Sequence, residues 1–238
     1  MQSIRNLAVA VIMALSFGVA HAAPVTLDHV GTSGIHGIEL GDNKIGGQYP
    51  VSSSNLNMGQ FTMKGPDGLF GAFCADIFHY IKGSGSYEAV SLSDGGLSDL
   101  QITRIAYLFD KYPVVGNTAE DNGLFQATLW EILFEDKPEG SSGWGISKGN
   151  FEIDNGLTKA QRKEIDDMIR DVTKNAGKKG HEVEKPLDFT YWKSLDGGQS
   201  LISWGPKDVP SNNVPEPSVL LLMLAGLISI VYFKRQAA

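Results

Sequence analysis

The sequence predicts an α+β domain, an antiparallel β-sheet or barrel with an inserted helical subdomain, and three observations lead there. Residues 25–92 are rich in Gly, Ser and β-formers in short alternating stretches, three helical patterns follow, and the chain then returns to strand pattern in "PLDFTYWKSLDGGQSLISW". Strands at both ends with helices between them place the first and last strands in one sheet and make the helices an excursion from it. A chain of 238 residues, 42% hydrophobic, supplies one good-sized core.

The early strands are read from "GIHGIEL", "GQFTMKG" and "SYEAVSL", each bounded by Gly, Asn or Asp. The first helix begins at Ser98, whose capping box closes with Gln101; Ile102, Ile105 and Phe109 share a face, and Pro113 prevents continuation. A second helix is expected over about Glu120–Glu135. Its two adjacent stripes, Phe125, Leu129, Ile132 and Gln126, Trp130, Leu133, make it apolar over much of its girth and therefore deeply buried. The third starts at the Thr158–Gln161 capping box, turns Ile165, Met168, Ile169 and Val172 inward, and stops at Gly177. Asp196-Gly197-Gly198 is placed to turn the closing hairpin.

Both ends carry apolar segments. Arg5, an apolar run from Leu7 to Val19 and then Ala20-His21-Ala22 have the layout of a secretory signal peptide over 1–22, to be cut by signal peptidase. That leaves 23–205 as the folded domain and 206–213 as a polar Pro/Asn linker. In 214–238, Pro215-Glu216-Pro217 precedes an uncharged run from Val219 to Phe233 and the basic pair Lys234-Arg235. Fifteen helical residues span about 22 Å, short of a roughly 30 Å hydrocarbon core, and the basic pair favours a cytoplasmic end. This tail resembles the PEP-CTERM sorting signal of Gram-negative bacteria. The resemblance implies a transmembrane sorting helix, recognition by an exosortase, transient inner-membrane anchoring and then release to the cell surface or an exopolysaccharide-rich matrix; a plain single-pass anchor is the other reading.

The formal charge of −7 becomes about −10 when Arg5, Lys234 and Arg235 are set aside, so nucleic acid and anionic membrane surfaces are not expected partners. No metal or other cofactor is expected either: the five histidines show no paired ligand spacing, "EDNG" at 120–123 lacks the repeated acids of a calcium loop, and no phosphate-cradling glycine motif occurs.

The chain has one cysteine, Cys74 in "FCADIF", although it is read as exported, where structural cysteines come in pairs. Three explanations stand: a small hydrophobe packed in the core, an intermolecular partner, or chemistry. Gln126 raises a matching question. It lies on the aromatic stripe of the buried helix with no obvious polar neighbour, and an unsatisfied buried amide costs about 1–3 kcal/mol.

"FCADIF" followed some fifty residues later by "FQATLWEI" resembles the thioester-domain family of surface proteins, with "DGGQSLISW" in the place of its closing strand and Gln199 at a recurring structural position. Phe125-Gln126 stands where the family more often has Thr-Gln, and Thr128-Leu129-Trp130 where it has Ala-Ile-Trp. The resemblance implies an internal thioester between the Cys74 sulfur and the Gln126 carboxamide, enclosed by Phe73, Phe125 and Trp130, with a surface amine or an exopolysaccharide as the unidentified target. Such a protein reacts once and is no turnover enzyme. Asp76 and His79 stand close enough in sequence to assist proton transfer, while His79 also fits a partly exposed surface histidine. Two other readings remain: a non-covalent matrix or adhesion protein with a packed Cys74, and a cysteine hydrolase pairing Cys74 with His181, whose Gly/Lys surroundings point to an exposed loop. Trp144 and Trp204 are candidates for sugar stacking or for core and edge packing.

Overall fold

The structure is a computed structural model that describes residues 23–42, 45–51, 56–114, 117–135, 144–184 and 187–206. The signal peptide expected at 1–22, the Pro215-Glu216-Pro217 motif, the apolar run behind it and Lys234-Arg235 lie outside these residues. Among the described residues no helix is long and apolar enough to cross a membrane.

The described residues form seven antiparallel strands and three helices: β1 (Val25–Leu40), β2 (Leu56–Gly65), β3 (Gly68–Cys74), β4 (Ser84–Val90), α1 (Asp99–Lys111), α2 (Ala119–Phe134), β5 (Ile153–Asn155), α3 (Lys159–Asn175), β6 (Leu187–Ser194) and β7 (Leu201–Pro206). The strand order β2-β3-β7-β6-β4-β1-β5 is joined by a further β1–β2 pairing, so six strands close into a ring. β1 makes the closure possible by serving two neighbours. Val25–Asp28 pairs with β4, Asp28 to Ile38 pairs with β2, and irregularities at His29/Gly31 and Ile35/Ile38 let the strand bend between these tasks. Where β1 and β2 approach most closely, glycine is required: a Cβ on Gly34 would lie 2.1 Å from the Met58 carbonyl oxygen.

The helices enter between β4 and β6, as the sequence predicts, but they do not form a subdomain set apart from the sheet. α2 packs against β1 and β2 on one side and α3 on the other. Every residue from Asn122 to Ile132 is buried, which is the consequence of an apolar pattern that runs round the whole helix. Its capping box, Thr118 with Asp121, starts it one residue before the expected Glu120. The boxes at Ser98–Gln101 and Thr158–Gln161 form as expected, and Gly177 takes the left-handed conformation (φ 73°) just beyond α3. Asp196 accepts from Gly198 N in the bend between β6 and β7. Phe73, Phe109, Phe125 and Trp204 form one aromatic cluster, with Phe73 4.7 Å from Phe125 and 5.4 Å from Trp204 between ring centres, so the partly buried Trp204 packs against the core.

Candidate functional site

Cys74 is the last residue of β3, and its surroundings follow from where two ladders stop. The β2–β3 pairing ends at Gln60–Phe73, whereas on the other edge Ala75 N–H still bonds to Ser200 O at 2.9 Å. Backbone groups of successive strand residues point to opposite edges, so the Cys74 N–H and C=O face the side that β2 has left. The Gln126 carboxamide fills that place. Cys74 N–H donates to Oε1 at 2.7 Å, and Nε2 donates to the Cys74 carbonyl at 2.9 Å. Gln126 is fully buried, and its amide pairs with backbone as a further strand would. The height of α2, and therefore of this amide, is set by Gly123, where a Cβ would fall 2.5 Å from Ile35 Cγ1.

The thiol is held just as closely. Sγ donates to Asp76 O at 2.8 Å and accepts from Asp76 N–H at 3.3 Å, a two-residue turn that fixes the side chain. Gln199 Nε2 donates to the same Asp76 oxygen at 2.8 Å, so the Gln199 carboxamide and the sulfur are held by one acceptor. Burial pushes the thiol's pKa far up; the Asp76 N–H and the Trp130 indole pull it down by favouring the anion, and the Asp76 charge adds to the rise. The sulfur is therefore a neutral thiol at rest. Trp130 exerts its pull without a hydrogen bond of ordinary geometry, since its Nε1 has no partner.

Cys74, Gln126, Trp130 and Gln199 line one cavity of about 240 Å³, together with His29, Thr32, Asn57, Tyr80 and apolar side chains from β1, β2 and the segments that follow β1 and β3. Of the three aromatic residues expected to enclose the pair, Trp130 lines this cavity. Phe73 and Phe125 stand behind it in the aromatic cluster, because strand alternation turns Phe73 away from the face that Cys74 presents. Asp76 lines a neighbouring polar groove with His79, Tyr191 and Lys193; its carboxylate accepts from Phe78 N and pairs with His79 Nδ1, each at 2.7 Å. His79 is half exposed in that pairing. His181 is on the exposed segment after α3, with its ring 6.5 Å from that of Tyr107, and it does not line the cavity that holds Cys74. Trp144 packs under the Arg104 guanidinium at 4.7 Å.

Gln199, expected at a recurring structural position, also lines the cavity, with an Oε1 that accepts nothing. Among the buried polar groups that the sequence reading does not single out is Glu131. Glu131 is fully buried; Gly145 N–H donates to its Oε1 at 2.7 Å while Oε2 has no partner, and burial raises its pKa to about 8. Its signal was the same as that of Gln126, a polar residue inside an apolar helix. No group of three potential ligands able to hold a metal occurs among the described residues.

Two backbone groups stand where acyl substitution at Gln126 would use them. A backbone N–H at 2.7 Å from Oε1 is where an oxyanion donor must stand, and Cys74 supplies it from its own amide. The Cys74 carbonyl orients the nitrogen that would leave.

The sequence matches no family model and no curated protein. Two solved structures are similar in fold. The N-terminal thioester domain of a surface protein from Clostridium perfringens superposes with a TM-score of 0.42 at 13% identity, covering 76% of this chain and 98% of that one. The thioester domain of the Enterococcus faecium TIE86 protein does so with a TM-score of 0.36 at 13% identity, covering 79% of each chain. Each is what this chain is similar to.

Proposed function

We propose that this chain is an exported surface or extracellular-matrix protein whose Cys74 and Gln126 form an internal thioester, through which it joins itself once to an amine on its target. The observation that supports this reading is the double hydrogen bond between the Gln126 carboxamide and the Cys74 backbone, made across 52 residues of sequence. In forming the bond, Sγ attacks Gln126 Cδ, the Cδ–Nε2 bond breaks, and the thiol proton leaves with the nitrogen as ammonia. A thioester carbonyl lacks most of an amide's resonance and stays open to amines, while the mostly apolar cavity limits attack by water. An arriving amine then bonds to Cδ, Sγ departs and takes the amine's proton, and the target is held by an amide at Gln126.

Export rests on the sequence alone: the signal-peptide layout at 1–22 directs the chain across the inner membrane, and 214–238 serves an exosortase there before release to the surface or matrix. A second reading has its own support. Both amide groups of Gln126 and the Cys74 thiol already have non-covalent partners, which is what a structural pair in a matrix or adhesion protein would show.

Intact mass of the purified chain tests the two. The thioester reading expects a loss of one ammonia, conversion to a methylamine adduct on treatment, and neither event in Cys74→Ala. A chain of full mass with a titratable thiol and no adduct leaves the non-covalent reading.

A further inference from the structure

Trp130 contributes a donor with no acceptor to the cavity wall. The residue is 4% exposed, its Nε1 is buried without a hydrogen-bond partner, and it lines the same cavity as Cys74 and Gln126. A buried N–H left unmade costs about 1–3 kcal/mol, and a phenylalanine ring would fill most of this space without that cost. Trp130 follows Gln126 by four residues on α2, so one helix face presents the carboxamide and, a turn later, the indole. The indole lies near enough to Sγ to favour its anionic form. A neutral thiol or thioester sulfur is a weak acceptor, whereas a sulfur carrying charge is a strong one. The orphaned N–H is therefore idle at rest and gains a partner only as charge builds on sulfur.

We infer that the Trp130 indole N–H is a catalytic donor to the Cys74 sulfur, engaged as that atom becomes anionic during the making and the breaking of the Cys74–Gln126 bond. The inference rests on the thioester reading for its two steps. In the first, Sγ bonds to Cδ as Cδ–Nε2 breaks and the thiol proton departs on ammonia; in the second, the amine nitrogen bonds to Cδ, the Cδ–Sγ electron pair passes to sulfur, and the amine's proton ends there as thiol. Charge lies on sulfur between the resting forms, so a donor that waits for it stabilises the transition state and not the ground state.

Trp130→Phe in the full chain keeps an aromatic ring and removes the donor. Methylamine coupling, followed by intact mass, is expected to slow roughly 100-fold, the usual loss for one such donor, with the melting temperature not lowered. Should that variant misfold, replacing the tryptophans biosynthetically by 5-fluorotryptophan strengthens the N–H as a donor with little change of shape, and coupling is expected to become faster. An unchanged rate in a folded Trp130→Phe, or no gain with the fluorinated residue, overturns the inference. A third measurement separates it from the thioester reading. In Gln126→Ala, where no thioester can form, alkylation of Cys74 by iodoacetamide reports the thiolate fraction, and adding Trp130→Phe is expected to slow it about tenfold if the indole lowers the thiol pKa by about one unit. Loss of ammonia absent from the wild-type chain sinks the thioester reading, while equal alkylation rates with and without the indole sink the contact between Trp130 and sulfur.

Discussion

At the scale of single residues, the site is built from polar groups placed where the surrounding pattern calls for apolar ones. Gln126 interrupts an aromatic stripe and was legible for that reason, but its partner was not. It pairs with the backbone of Cys74, and backbone groups left over at the end of a ladder leave no mark in side-chain periodicity. Glu131 carries the same mark five residues later and has a consequence for stability. Its carboxyl is held protonated up to about pH 8 in the fold, against an ordinary value of 4.5, so between those limits the native state keeps a proton that the unfolded chain has released. Stability contributed by this group is full below the lower value and falls as pH rises through the window, by at most about 1.4 kcal/mol per pH unit. Glu131→Gln removes that slope. Urea unfolding at about pH 5 and about pH 8 is expected to show the variant gaining on the wild-type chain as pH rises, and parallel curves for the two proteins refute it.

Among the elements, α2 decides whether the site exists, because it brings Gln126 and Trp130 to a strand end supplied by β3. Its fit depends on Gly123, which leaves room for Ile35 of β1. In Gly123→Ala the added methyl forces the helix or the strand to move, at an expected cost of about 1–3 kcal/mol by urea unfolding. Because the displacement carries Gln126 with it, thioester formation by intact mass should fall in the same variant; full formation with unchanged stability would show that the contact tolerates a Cβ. α1 and α3 were legible through their Ser98–Gln101 and Thr158–Gln161 boxes, and α2 through its apolar girth. Its start was less so, since Asp121 closes a box usually recognised by Glu or Gln. β5 was not legible, being three residues long, nor was the full 16-residue reach of β1, which looks like separate short strands where glycines and bends interrupt its alternation.

For the whole molecule, closure of the strand ring is the feature that sequence reading left as one of two options. Sheet and barrel differ only in whether β1 also meets β2, a long-range register that local pattern does not encode. The ring and its helices belong to one compact unit, and Cys74 and Gln126 sit on different parts of it, a strand and a helix separated by 52 positions. A bond between them would be a cross-link closing a loop of that length, which by chain entropy stabilises the folded state by about 4 kcal/mol. Coupling to an amine removes the cross-link while leaving every other contact in place. The methylamine-treated chain is therefore expected to melt several degrees below the untreated one, and identical melting curves would mean that no covalent loop was lost. A fold stapled before use and unstapled by it is sturdiest in transit and softest once attached, so protease sensitivity would distinguish spent copies from those still loaded.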